Sequence, residues 1–268
     1  MDVPRDTSEG AVVAAIAGNW LAYLRTFDRA PHVEVSDDRE LFLFVTGIPS
    51  GQFNAVMRAD LPPGALDATL DEVRARFATR GVPWSWLVGP DTRPTDLGRR
   101  LAERGMTHIG QVPCMAADLL AVHPLQDEAP PAGLTIARVD DEATLRQWIA
   151  AEAVGFEIPD GEAAGVAALR MGMGRGDDVS PRRYLGLVDG APVATASLLL
   201  GSGAAGVYDV STIPTSRRRG VGTALTGALM REARAIGYRV AILQSSTEGA
   251  GVYRRLGFRD YCSYDIYV

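Results

Sequence analysis

Lysine is absent from this sequence, and the side chains that carry most metal and redox chemistry are scarce. All 27 basic residues are arginine, so the phosphate-binding P-loop, whose motif needs a lysine, is excluded. Cys114 and Cys262 are the only cysteines, too few for a disulfide framework. The three histidines show no ligand spacing with them, so the sequence predicts no metal site.

Long apolar runs and a basic surface are missing as well. No apolar stretch reaches the length of a membrane span, so we expect no membrane partner. The formal net charge is −6, which argues against a nucleic-acid partner, because such binding needs a large basic surface. The first ten residues, MDVPRDTSEG, carry acids where a signal peptide has a basic start. This start predicts a cytoplasmic protein.

The chain divides into two halves at a segment rich in proline and acidic residues. This segment, HPLQDEAPPAG, interrupts every periodic pattern, and it predicts a linker at 124–133 between domains at 1–123 and 134–268. In the first half, periodicity predicts helices near 10–27, 66–78 and 95–104 and strands near 41–46, 53–58 and 84–88. In the second half, it predicts strands near 134–139, 184–188, 193–200, 206–211, 238–244 and 261–268, with helices near 142–153, 162–171, after 220 and before the last strand. This mixed order indicates an α+β fold with an open sheet.

The two halves resemble each other at their ends. LAERGMT (101–107) and YRRLGFR (253–259) both finish a predicted short helix with a glycine and then an apolar residue. Two ordinary glycine-capped helices would look the same. Together with the matching order of elements, the similarity suggests a duplicated fold.

The stretch STIPTSRRRGVGTAL (211–225) sets three arginines beside a Gly-x-Gly at the start of a predicted helix. A helix N-terminus exposes unpaired N–H groups and carries a partial positive charge, so it attracts anions. Gly220 and Gly222 remove side chains that would block a phosphate, and Arg217, Arg218 and Arg219 add charge. The pattern favours a diphosphate site over a plain arginine-rich loop. Because only Gly220-Val221-Gly222 is present, the dinucleotide motif G-x-G-x-x-G is not matched.

This R-x-x-G-x-G string resembles the pyrophosphate-binding motif of the GNAT superfamily of acetyl-CoA-dependent N-acetyltransferases. A proline, Pro214, stands three residues before the first arginine, as in that family. Downstream, LQSSTEGAGVYRRLGF (243–258) supplies the small polar residue Ser246, then Tyr253 and a terminal L-G-F. The resemblance covers 134–268, and it implies an α+β (α/β) fold of GNAT-like domains, each with a mixed, mostly antiparallel central sheet flanked by helices.

The resemblance also implies roles for the residues of the second half, with acetyl-CoA as co-substrate. Backbone groups of Val210, Ser211 and Thr212 would line the cofactor arm, and one N–H would face the acetyl oxygen. Tyr253 would protonate the leaving thiolate. The residues implied to hold the diphosphate or to hydrogen-bond the cofactor are Arg217, Arg218, Arg219, Gly220, Val221, Gly222, Thr223 and Ser246.

The general base is open at this stage. Asp209 precedes Val210 on the strand, and it is either the base or a solvated carboxylate, because neighbouring strand residues face opposite sides. Glu152 and Glu157 are further candidates. Deprotonation through water, without a dedicated residue, is a further alternative.

The first half lacks both chemical functions of the second. No R-x-x-G-x-G precedes the helix near 66, and Asp67 and Asp71 stand where a phosphate would need positive charge. Four residues before Gly105, in the place of Tyr253, the sequence has Leu101. We therefore expect residues 1–123 to be a degenerate, non-catalytic GNAT-like domain. Trp84 and Trp86 either line a pocket or, more typically for alternating strand positions, pack in the core.

These observations predict an N-acetyltransferase that moves an acetyl group from acetyl-CoA to a primary amine of a small molecule. Two alternatives stay open: a non-catalytic acyl-CoA-binding sensor or scaffold, and an acetyltransferase acting on protein or peptide amines. Tyr253 favours an enzyme, since a sensor does not need a thiol-protonating group. A homodimer is left open.

Overall fold

The secondary structure follows the mixed order that the sequence predicts. The computed structural model describes residues 6–122, 130–174, 180–247 and 249–268, so residues 124–129 of the predicted linker lie outside the described part. Its helices are α1 (Glu9–Arg25), α2 (Leu66–Arg80), α3 (Leu97–Glu103), α4 (Glu142–Gly155), α5 (Asp160–Gly172), α6 (Val221–Ile236) and α7 (Ala250–Arg255). Its strands are β1 (Glu34–Asp37), β2 (Leu41–Val45), β3 (Asn54–Ala59), β4 (Ser85–Val88), β5 (His108–Asp118), β6 (Leu134–Arg138), β7 (Arg182–Val188), β8 (Ala191–Gly201), β9 (Ala204–Thr212), β10 (Val240–Gln244) and β11 (Arg259–Tyr267).

The residues separate into two compact units, each built from several chain segments. Unit 1 takes the described parts of Met1–Tyr23, Cys114–Pro159 and Gly174–Tyr261. Its strand order is β6-β7-β8-β9-β10-β5, where β5 contributes residues 114–118. The first three pairings are antiparallel, β9 and β10 are parallel, and β10 and β5 are antiparallel. Its core lies between this sheet and helix α6, which buries Leu225, Leu229 and Met230.

Unit 2 takes Leu24–Pro113, Asp160–Met173 and Cys262–Val268. Its strand order is β1-β2-β3-β4-β11, with two antiparallel pairings, then a parallel one, then an antiparallel one. Helix α2 packs Leu70, Val73 and Phe77 into the core of this unit. The α+β expectation, with a mixed and mostly antiparallel sheet flanked by helices, is confirmed.

The strand orders β7-β8-β9-β10-β5 in unit 1 and β1-β2-β3-β4-β11 in unit 2 share the same pairing directions, and each unit has a short helix followed by a glycine. Gly105 (φ +87°) follows the cap residue of helix α3, and Met106 N–H donates to the Leu101 carbonyl. Gly257 (φ +89°) follows the cap residue of helix α7, and Phe258 N–H donates to the Tyr253 carbonyl. In both, the positive φ makes glycine the favoured residue, and the apolar residue after it is buried. Leu101 and Tyr253 therefore hold equivalent positions, as their spacing predicts.

The compact units divide the chain differently from the predicted 1–123 and 134–268. The first half supplies α1 and the end of β5 to unit 1, and the second half supplies α5 and most of β11 to unit 2. The exchange is reciprocal. Strand β5, the last strand of the first half, pairs antiparallel with β10 of unit 1, and β11, the last strand of the second half, pairs antiparallel with β4 of unit 2. Long-range pairing of this kind leaves no local signal in the sequence. Strand β5, which contains Gly110 and Pro113, and the short β1 are not predicted from the sequence.

Helix α1 is fastened to unit 1 by one buried side chain. Asn19 Nδ2 donates to the carbonyls of Leu199 (3.3 Å), Gly201 (2.8 Å) and Ala204 (3.1 Å), and its Oδ1 accepts from the Tyr208 hydroxyl at 2.7 Å. The described helices include none that is long and apolar enough to cross a membrane.

We predict that Asn19→Ala lowers the free energy of unfolding by roughly 2–4 kcal/mol, because it leaves buried carbonyls and the Tyr208 hydroxyl without their partner. Chemical denaturation measures this change. Thr79→Ala, which removes a hydroxyl that bonds only within its own helix, is the control and should cost less than about 0.5 kcal/mol. Equal effects of the two substitutions would contradict the role of Asn19.

Candidate active site

The site begins where strands β9 and β10 part. They pair in parallel only at Ala205–Ala241 and Gly206–Ile242. Beyond these pairs β9 carries a bulge, since Thr195 stands opposite Ser211 and Ser197 opposite Tyr208, leaving two β9 residues against one of β8. Asp209, in the bulge, has φ +52°. A bulge bends its strand and increases the local twist, so the carboxyl ends of β9 and β10 diverge.

The divergence leaves backbone groups of β9 available on one edge. Ile213 N–H donates to the Val193 carbonyl in β8 at 2.9 Å. Because N–H directions alternate along a strand, the N–H groups of Val210 and Thr212 point to the opposite edge, toward the gap. Ser211 faces away: its hydroxyl is buried and shares a 2.8 Å hydrogen bond with the Thr195 hydroxyl. Ser211 therefore stabilises the strand through its side chain.

The loop before α6 shapes a pocket of backbone donors. Arg218 (φ +59°) and the N-cap residue Gly220 (φ +79°) both adopt left-handed backbone conformations. The first α6 residue bonded back into the helix is Ala224, whose N–H donates to the Gly220 carbonyl. The N–H groups of the preceding turn are thus directed out of the helix end, where they attract anions. A Cβ at Gly222 would stand 3.4 Å from Thr212 Oγ1, so a longer side chain there would fill the space in front of these donors.

A groove of about 360 Å³ lies at this helix end. Seven of the eleven predicted cofactor-binding residues line this groove. The four predicted residues that do not line it are Val210, Ser211, Arg219 and Ser246. The lining residues are Thr212, Ser216, Arg217, Arg218, Gly220, Val221, Gly222, Thr223, Val252 and Arg255. Ser216, Val252 and Arg255 are additions that sequence reasoning missed. The sequence could have indicated Arg255, because this residue stands two positions after Tyr253 on the same short helix.

Arg217 is held by the protein itself. Its guanidinium donates to the carbonyls of Thr212 (3.1 Å) and Gly155 (2.9 Å) and pairs with the Glu157 carboxylate at 3.2 Å. Gly155 ends helix α4 and packs against Ser211 so closely that an added Cβ would lie 2.3 Å from the Ser211 hydroxyl. Arg217 and Gly155 therefore fix the end of β9 against α4. Glu157, a candidate base, is engaged by this arginine.

Tyr253 lies on α7 beside the groove residue Val252. Its ring packs edge-on against Phe258 at 6.0 Å, and burial raises the pKa of its hydroxyl to about 12. Among the described residues, none hydrogen-bonds this hydroxyl. The phenol keeps its proton at neutral pH, the state that a general acid needs. Ser246 holds the turn before α7, where its hydroxyl accepts from Gly249 N–H at 3.0 Å.

Asp209 belongs to a network on the α1 face of the sheet. Its Oδ1 accepts a 2.6 Å hydrogen bond from the Tyr23 hydroxyl, and the Tyr23 ring stacks on Tyr208 at 4.2 Å. Tyr208 is in turn bonded to Asn19. Nothing in the local sequence indicated that α1 reaches Asp209, because the two segments are far apart in the chain. Glu152, another candidate base, is fully buried in α4 (0% exposed).

The corresponding positions of unit 2 carry an acidic and an apolar side chain, Asp67 and Leu101. Asp67, in the first turn of α2, is paired with Arg104, and this hydrogen bond lowers the pKa of the carboxyl. Leu101 is fully buried. Trp84 and Trp86 pack in the core of this unit, Trp84 stacking on Phe77 at 4.9 Å. The described residues hold no group of histidine, cysteine and acidic side chains suited to a metal ion.

The comparisons with known proteins agree with this geometry. Residues 202–260, which include β9, α6 and α7, match the family described as Acetyltransferase (GNAT) domain. This part of the chain therefore resembles a GNAT acetyltransferase domain. No protein with a curated description matches the chain.

Solved structures of GNAT proteins share the fold over nearly the whole length. A GCN5-related N-acetyltransferase from Kribbella flavida has a TM-score of 0.70 and 24% identity, covering 96% of this chain and 95% of its own. A tandem GNAT protein from the clavulanic acid biosynthesis pathway has a TM-score of 0.64 and 15% identity over 100% of this chain and 96% of its own. A GCN5-related N-acetyltransferase from Sphaerobacter thermophilus has a TM-score of 0.63 and 18% identity, covering 88% of this chain and 75% of its own.

We predict that the Tyr253 phenol ionises at a pKa near 12, above the ordinary tyrosine value of about 10. Because the pKa is raised in the folded state, the stability that this group contributes is complete below about pH 10 and is lost as the pH rises through 12. Phenolate absorbance in the ultraviolet is titrated in the wild type and in Tyr253→Phe. The difference between the two titration curves gives the ionisation of Tyr253. A difference spectrum that titrates near pH 10 would contradict the burial of Tyr253.

Proposed function

We propose that the GNAT domain transfers an acetyl group from acetyl-CoA to a primary amine of a small molecule. The observation that carries the proposal is the groove at the α6 N-terminus, which lies beside the gap between β9 and β10. A cytoplasmic location belongs to the same proposal.

The groove suits the diphosphate of coenzyme A. The two left-handed residues Arg218 and Gly220 turn the chain so that successive N–H groups face one space, and Gly222 leaves that space open. Arg218 and Arg255 are among its lining residues, and both carry positive charge. Arg217 acts indirectly, because its side chain holds the β9 end in place.

The strand gap suits the pantetheine arm and the reacting thioester. The N–H groups of Val210 and Thr212 are directed toward this gap and can donate to amide oxygens of the arm or to the acetyl oxygen. An N–H fixed in a strand costs little reorganisation when negative charge develops on that oxygen. Acetyl-CoA supplies an activated acetyl group, whose carbonyl carbon accepts the electron pair of the amine.

In this proposal, two side chains carry out the proton transfers. As the C–N bond forms and the C–S bond breaks, Tyr253 donates its proton to the leaving sulfur and is restored from water. Asp209, on the α1 face, receives the amine and takes its proton directly or through water. Tyr23 keeps the Asp209 carboxylate in one orientation by its 2.6 Å hydrogen bond.

In this proposal, the first half of the chain supports the site and contains no second active site. Residues 1–123 contribute α1, with Tyr23 and Asn19, and the end of β5 to unit 1. At the α2 N-terminus, Asp67 and the exposed Asp71 would repel a phosphate. One acetyl-CoA per chain is the stoichiometry that follows.

We predict that Gly222→Glu lowers acetyl-CoA affinity by roughly 100-fold or more, because its side chain and its charge occupy the phosphate position. Isothermal titration calorimetry measures the affinity, and circular dichroism checks the fold. Gly10→Glu is the matched control, since Gly10 is exposed and nothing stands within 4 Å of its added Cβ. Wild-type affinity in the Gly222→Glu variant would remove the diphosphate assignment.

We predict that Tyr253→Phe lowers kcat by roughly 10²-fold while acetyl-CoA affinity stays unchanged, as expected for a lost general acid. Amine-dependent release of free thiol from acetyl-CoA measures the rate, and the wild type tested with a panel of small amines distinguishes an enzyme from a sensor. Unchanged kcat at a rate limited by chemistry would assign Tyr253 to packing. Thiol release that occurs only with peptide amines would show that the acceptor is a peptide and not a small molecule.

A further inference from the structure

Gln244 is a polar residue whose side chain has no partner in the described part of the protein. It is the last residue of β10, paired with Cys114 of β5. Both its amide nitrogen and its amide oxygen are shielded from solvent, and neither makes a hydrogen bond among the described residues. A shielded amide without partners is destabilising, because it loses its bonds to water and gains none in exchange. An apolar side chain of similar length would avoid this cost.

The register of the sheet places Gln244 on the α1 face. Ala241 and Leu243 pack in the core beside α6, so alternation sends Ile242 and Gln244 to the opposite face. That face is the one where Gly206 lies against Asn19 and the Tyr208 ring. Because Ile242 is in register with Gly206, Gln244 is level with Tyr208, immediately before Asp209. The unpartnered amide therefore stands where the two strands part, on the side of the Asp209 carboxylate.

We propose that Gln244 recognises a carboxamide or peptide-type group of the acceptor, next to the amine that Asp209 receives. A primary amide carries one acceptor oxygen and two donor hydrogens, and another amide group complements both. Gln244 Oε1 accepts from the N–H of the acceptor, and Nε2 donates to its carbonyl. This inference rests on the proposed function and narrows its substrate class to amines that carry an amide.

Binding of such a group explains why the amide is unpaired in the free protein. A site built to hydrogen-bond a polar substrate group discriminates strongly against analogues that lack the group, since its own polar atoms are then left unpaired. Gln244 thus lowers the stability of the free protein and raises its selectivity for the acceptor. The two effects can be separated by experiment.

The test compares wild type, Gln244→Met and the control Gln147→Met, which changes an exposed glutamine of α4 in the same unit. The substrates are glycinamide and propylamine. We expect Gln244→Met to raise the melting temperature of the free protein by about 2–4 °C, the shift that corresponds to about 1 kcal/mol in a chain of this size. We expect the ratio of kcat/KM for glycinamide to that for propylamine to fall at least about tenfold relative to wild type. This comparison cancels the different basicities of the two amines.

Gln147→Met should leave the kcat/KM ratio unchanged, and acetyl-CoA affinity should be unchanged in both variants. A lower melting temperature for Gln244→Met would show that the amide stabilises the free protein, and it would overturn the proposal. An unchanged kcat/KM ratio, or a wild type that binds acetyl-CoA but acetylates neither amine, would overturn it as well. A wild type that does not bind acetyl-CoA would refute the proposed function instead.

Discussion

The bulge at Asp209 and Val210 decides the geometry of the site, because it parts β9 from β10. In a regular parallel pair, β10 would occupy the N–H groups of Val210 and Thr212, and no groove would open at the carboxyl ends of the strands. The bulge also breaks the alternation of side chains, so that Tyr208 and Asp209 both meet residues of α1. Backbone donors directed into the gap and a carboxylate on the α1 face of the same strand thus come from one local irregularity.

Three contacts hold this irregularity in place. Tyr23 of α1 bonds the Asp209 carboxylate, and Thr195 of β8 donates to the Asp209 carbonyl at 2.8 Å. Beyond the bulge, Arg217 and Gly155 bind the end of β9 to α4. A left-handed conformation at a residue other than glycine persists only when its surroundings fix it. The surroundings here come from segments far apart in the chain, which is why the first half is part of the site.

The reciprocal exchange of segments makes each unit depend on both halves of the chain. Strands β10 and β4 each need a partner along the edge away from β9 and β3, because an unpaired edge leaves backbone groups unsatisfied and invites aggregation. The partner of β10 comes from the first half, and that of β4 comes from the second half. Loss of either half would thus remove a strand and a helix from the other unit. This dependence holds whether or not the first half binds a ligand.

The sequence by itself determined the elements whose signals are local. Glycines at helix ends, the R-x-x-G-x-G turn and the L-G-F after Tyr253 each constrain a few neighbouring residues, and the structure places most of the predicted groove residues together. Tertiary structure alone decided the roles that depend on distant partners: Arg217 fixes the β9 end, Glu152 is buried, and Asp209 meets Tyr23. It also decided that β5 and α1 complete unit 1. Local patterns reflect the backbone preferences of adjacent residues, whereas strand exchange and buried hydrogen bonds depend on which distant segments the folded chain brings into contact.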